Sequence, residues 1–145
     1  MNENVELLKV IYKDCSMSTY SLNALLKELE SKENKIKKSI ENILKGYERY
    51  KKDTEKFMTK QKADPKEENP MTKMMAHEGI KKEIRSDNSD ANIADVLIKG
   101  ITMGILDMEK LINNYEKDAD KEIIKFSKEF LKFQKDNVEE LKKHL

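Results

Sequence analysis

Four stretches of this chain set apolar residues alternately three and four positions apart, and no other feature constrains the fold as strongly. That spacing holds side chains on one side of an α-helix, whereas a half-buried strand requires strict alternation. The first stripe is Leu8, Ile11, Cys15, Ser18, Leu22, Leu25 and Leu29. The second is Ile36, Ile40, Ile43, Tyr47, Tyr50, Thr54 and Phe57. In the third, Ile93, Leu97, Ile101, Ile105, Met108, Ile112 and Tyr115 form so broad an apolar surface that this helix is expected to be the most buried. The fourth is expected to bury Ile123, Ile124, Phe126, Phe130, Leu131, Phe133, Val138 and Leu141, leaving Lys125, Lys128, Lys132 and Lys135 to water. Four Gly and two Pro in 145 residues leave little turn chemistry for a β-rich alternative. At 39% charged residues disorder competes with folding, and the periodic placement of the apolar residues decides for a core.

The punctuation between stripes sets the connectivity. Ser31-Lys32-Glu33-Asn34 carries no apolar residue, and the rhythm slips there by one position. A tight turn and an antiparallel hairpin follow. Neither Gly nor Pro enforces that turn, so one continuous rod of helices one and two stands as the alternative. Ala63 to Ser89 is far longer than a bundle turn needs. Pro65 and Pro70 interrupt it, Asn69-Pro70 suits a helix start, and Met71, Met74, Met75, Ile80 and Ile84 give a short helix one apolar side. The expectation is a single all-α domain over residues 1–145, with helices at about 5–30, 33–62, 70–85, 90–116 and 120–144. Two hairpins joined by a long crossover make this a four-helix bundle of ferritin-like connectivity.

Charge and location are less specific. The net charge is +1, but residues 32–66 hold twelve basic against six acidic side chains, which marks helix two as basic. No uncharged stretch approaches the roughly 20 residues of a membrane span. The acidic opening, Met1 to Glu6, lacks the basic region of a signal peptide, and the single Cys15 fits a reducing compartment. A cytoplasmic protein with no membrane association is expected.

The stretch Ile93-Ala94-Asp95-Val96-Leu97-Ile98-Lys99-Gly100-Ile101-Thr102-Met103-Gly104-Ile105-Leu106-Asp107-Met108, followed by a charged last helix and preceded by the long crossover, resembles the small bacterial ferritin-like bundles of unknown function. The resemblance implies a fold and no activity.

A di-iron site needs a carboxylate from two helices and a Glu-x-x-His pair from each of the other two. The two histidines, His77 and His144, stand in no such motif, so no di-iron centre and no cofactor are expected. Cys15, Ser18, Tyr47, Tyr50, Thr54 and Asp107 are placed by phase near mid-bundle, where tyrosine hydroxyls would satisfy the Asp107 carboxylate or a small ligand or metal would sit. Gly100-x-x-x-Gly104 is expected to seat a bulky side chain such as Tyr47. Met71, Met74, Met75 and His77 bring thioethers and an imidazole within about two helical turns, which reads as packing under the crossover or as a soft-metal site. A phosphotransfer role for His77 lacks matching surroundings. The lysines of helix two are interspersed with Glu41, Glu48, Asp53 and Glu55, and its tyrosines lie on the apolar seam, so nucleic-acid binding is not expected. Nucleophilic catalysis by Cys15 lacks a histidine on its layer. The sequence therefore points to a non-enzymatic bundle that associates with itself or a protein partner. Binding of a metal or small ligand is the alternative, and an adaptor built on the helix-one–helix-two rod is a third possibility.

Overall fold

The computed structural model describes residues 2–66 and 70–145, and the described residues form five helices and no strand. They are α1 (Glu3–Glu28), α2 (Lys37–Lys60), α3 (Pro70–Ser86), α4 (Asp90–Tyr115) and α5 (Lys121–Lys142). Helices α1 and α2 form one hairpin and α4 and α5 another, while α3 crosses between them, resting on α1 and α4. The single rod is thereby excluded within the chain. Its turn is made without Gly or Pro, by the polar residues 30–35 between buried Leu29 and Ile36.

Local chemistry accounts for two of the helix starts. Asn2 caps α1 by accepting from the Asn4 amide, and Ser89 caps α4 by accepting from the Asn92 amide. Asp120 stands at the N-cap of α5 but makes no side-chain cap bond. Asn69, expected to cap α3, lies outside the described residues. Two polar ties fix the ends of the molecule. Asn4 accepts from the Asp120 amide at 2.8 Å and donates to Gln61, which joins the start of α1 to the end of α2 and the start of α5. At the other end Asn34 donates to the Asn88 carbonyl and to Asp90, so the two interhelical turns lie side by side. There Ser39 donates to Glu140 at 3.1 Å and lies 2.9 Å from His144 Nε2, tying α5 to the start of α2.

The core runs along the predicted stripes, with two differences. On α5 the buried seam is Ile123, Ser127, Phe130, Gln134, Asn137 and Leu141, so two amides replace Leu131, Phe133 and Val138, which are only partly buried. Gln134 fits because it reaches a carboxylate on α1, described below, whereas the buried Asn137 amide nitrogen has no hydrogen-bond partner among the described residues. Helix α4 is not the most buried. It buries only Ile93, Ala94, Leu97, Met108 and Ile112, and Met103 and Leu106 are exposed. The reason is length: α3 has 17 residues against 26 in α4, and cannot cover its apolar circumference.

At mid-bundle Tyr47, Tyr50, Phe126, Phe130 and Phe133 form one aromatic cluster between α2 and α5. Gly46 makes it possible. A Cβ there would lie 2.2 Å from the Phe133 ring, which is held at 4.9 Å from both tyrosine rings. We expect Gly46→Ala to destabilise the protein by about 1–3 kcal/mol, outweighing the roughly 1 kcal/mol that alanine gains in a helix. Urea unfolding followed by circular dichroism checks this; an unchanged or raised midpoint would show that Phe133 swings aside at no cost.

Candidate functional site

The residues singled out from the sequence do not all meet. Cys15 is fully buried, and burial followed by the neighbouring Asp14 charge pushes its thiol pKa far up, so it is a packed, unreactive thiol. Tyr47 is buried beside it. Tyr50 faces outward and donates to the Glu129 carbonyl at 3.3 Å, and Thr54 satisfies itself on the Tyr50 carbonyl. Asp107, expected in the interior, is exposed, because it lies on the side of α4 that nothing covers and an ionised carboxylate is solvated there at no cost.

The interior carboxylate is Asp14. It comes from α1, one position before Cys15, and is partly buried by surface area, with its carboxyl group closely surrounded by protein. Its Oδ1 accepts from Ser18 at 3.1 Å and its Oδ2 from Gln134 Nε2 at 2.9 Å. Desolvation is the largest influence on it, opposed by the Ser18 bond, reinforced by the nearby Asp107 charge and opposed again by Gln134, and the outcome is a pKa raised to about 6. No basic side chain forms an ion pair with it among the described residues. Gly104 creates its seat: a Cβ there would lie 2.9 Å from both Asp14 Oδ2 and Gln134 Nε2. The glycine therefore admits this pair rather than Tyr47. Gly100, one turn earlier, has open space around the position of a Cβ.

Asp14 lies at one side of a cleft of about 220 Å³ enclosed by α1, α3 and α4, with Tyr47 of α2 also lining it. Leu22, Ile80, Val96, Leu97 and Ile101 supply apolar walls, and Gly100 stands at the rim. Tyr47 is 1% exposed, and its hydroxyl lies near enough to Ser18 to feel it but makes no hydrogen bond of good geometry within the described protein. Burial, then the Asp14 charge, pushes the phenol pKa well up, so it stays protonated. The sequence carried a trace of this site. Asp14 and Ser18 are one turn apart on α1, and Gln134 falls in the 3-4 rhythm of α5, but a carboxylate flanking an apolar stripe reads as solvated until its cover is known.

The soft-ligand group is dispersed. Met71, Met74 and Met75 point to solvent, whereas His77 is buried on the opposite side of α3, edge-on to Tyr20 at 5.9 Å between ring centres. The side of α3 that docks is His77, Ile80 and Ile84, not the methionine side, and Glu28 clamps it through Lys81 at 3.1 Å and Arg85 at 3.5 Å. No group of three or more His, Cys, Asp or Glu side chains suited to a metal occurs among the described residues. The contact of Ser39, His144 and Glu140 is not a catalytic triad either. Its carboxylate takes the serine proton instead of orienting the imidazole. No described helix is long and apolar enough to cross a membrane.

Comparison with protein families, with curated proteins and with solved structures returns no match for this chain.

Proposed function

We infer that this chain is a non-enzymatic four-helix bundle of ferritin-like connectivity, without a di-iron site, that works in the cytoplasm by associating with a second copy of itself. One observation carries the reading. Met71, Met74, Met75, Met103 and Leu106 each leave more than half of their surface open, and all five belong to α3 and α4. Exposed apolar surface on adjacent helices marks a contact surface, and flexible thioethers adapt readily to a partner. A net charge of +1 offers little repulsion between copies. A different protein partner is the other occupant of that surface.

Light scattering after size exclusion tests the reading. We expect the wild type to be a dimer, and Met103→Glu with Leu106→Glu to give a monomer whose thermal unfolding differs little, since both side chains are exposed in the single chain. A wild-type monomer at the highest soluble concentration overturns self-association.

The cleft beside Asp14 favours a second reading, a protein that holds a small molecule. Its support is a buried carboxylate without a cation and a buried hydroxyl without a partner, in one apolar enclosure.

A further inference from the structure

We propose that the cleft between α1, α3 and α4 binds a small primary amine, its ammonium group on Asp14, Ser18 and Tyr47 and its hydrocarbon part against Leu97 and Ile101. The inference rests on the small-molecule reading of the cleft and gives that molecule a chemical class.

Charge complementarity selects the class. Asp14 brings a carboxylate into a desolvated position, and the neighbouring charge that acts on it is another acid, the exposed Asp107 outside the cleft. An anion would be repelled by this pair. A divalent metal finds a single buried carboxylate and two hydroxyls, too poor a donor set for an ion of that charge. An ammonium group differs in carrying one charge and three N–H donors. The site offers three kinds of acceptor: the free lone pairs of Asp14, the Ser18 oxygen, whose proton is already given to Asp14, and the Tyr47 oxygen, which has no partner. Each need of the ammonium is met by a group whose own bonding is incomplete.

The remainder of the enclosure sets the body of the ligand. Its walls are aliphatic, and at about 220 Å³ it is smaller than the cavities that take drug-sized molecules, so a short alkyl chain fits and a large ring system does not. Helix α3 closes one side with Ala76 and Ile80, and Gly100 on α4 leaves the rim open.

Titration of the whole chain with n-hexylamine, 1-hexanol and hexanoate, followed by amide chemical shifts, tests the proposal. Hexylamine is expected to shift the amides of Ser18, Gly100 and Ile101, with hexanol weaker and hexanoate inert. Asp14→Asn is expected to weaken hexylamine about ten- to a hundredfold while leaving hexanol unchanged, because only the charged hydrogen bond is lost. Gly100→Leu fills open space on an exposed helix position, so it is expected to fold normally and to exclude both ligands. Equal binding of hexylamine and hexanol, indifferent to Asp14→Asn, would overturn the amine class while keeping a small-molecule cleft. No shift at the cleft with any of the three overturns both.

Discussion

Phe130→Ala is expected to destabilise the protein by about 3–5 kcal/mol, the largest loss available from any single core truncation here. Phe130 is completely buried on α5, and its ring lies 5.3 Å from Tyr50, 6.0 Å from Phe133 and 6.2 Å from Tyr47. Two costs add: the lost transfer free energy of the ring and the cavity left at the α2–α5 interface. The cavity cannot collapse cheaply. Tyr47 is held by Phe133 on one side and by the cleft on the other, and Phe133 already presses on the backbone at Gly46. For a chain of this size the loss corresponds to a fall of about 10–15 °C in the unfolding midpoint, read by circular dichroism. Phe57→Ala is the control. Phe57 belongs to the same aromatic array, 4.7 Å from Phe126, but is only partly buried, and its loss should cost less. Equal effects would show that ring count, not burial in the Phe130 position, governs this cluster.

The parts of the fold that could be read from the sequence are those written as periodicity. Ile36, Ile40, Ile43 and Tyr47 are buried as their spacing requires, and so are Leu8, Ile11, Cys15, Leu22, Leu25 and Leu29. The hairpins follow because a short turn sets consecutive helices antiparallel and side by side, and the two hairpins then pack on each other through α1, α2 and α5. Periodicity does not say how much cover a stripe receives. The broad apolar face of Ile93, Leu97, Ile101, Ile105, Met108, Ile112 and Tyr115 predicts that α4 is the most buried helix, yet Ile101, Ile105 and Tyr115 are only partly buried and Met103 and Leu106 beside them are exposed. On α3 itself three methionines crowd the first turns, and the sequence pattern puts them on the same apolar side as Ile80 and Ile84. The docking side is instead set by Ile80, Ile84 and a buried histidine, with an ion pair from Glu28 fixing the rotation.

The candidate site was legible only in its neighbours. Cys15, Ser18 and Tyr47 mark the right layer, but phase along α4 puts the Asp107 carboxylate there, whereas the structure puts Asp14 there. What decides between two aspartates is the space each is given. Gly104 removes one side chain from α4 and thereby leaves room for a carboxylate arriving from α1, together with the amide of Gln134 arriving from α5. Three helices contribute to that choice, and no pattern within one of them contains it.

Asp14→Asn should make the protein more stable at neutral pH, and this is the second large effect the structure implies. Folding raises the pKa of Asp14 from an ordinary 3.8 to about 6, since burial penalises the ionised form. The sign follows from proton counts. Between those two values the folded state holds more protons at this position than the unfolded state does. Stability therefore falls as pH rises from about 4 to about 6, and the penalty is complete above that window. A difference of about two units corresponds to a penalty on the order of 3 kcal/mol, an upper bound because Asp14 is not wholly sealed from water. Asparagine carries no charge, so it escapes the penalty; its one oxygen accepts from Ser18, and its NH2 donates to Gln134 once that amide turns to present Oε1, which is buried and unpartnered in the wild type. Denaturant midpoints for the wild type and Asp14→Asn should diverge above pH 6, with the variant higher, and converge below pH 4. Two parallel curves would show that the carboxylate is solvated in the folded protein and bears no cost. Divergence has a consequence for function. A charge held at the expense of stability, where an amide of the same shape would fold better, is most simply accounted for by something the carboxylate contacts, and an ammonium ligand added to the wild type should recover part of the difference.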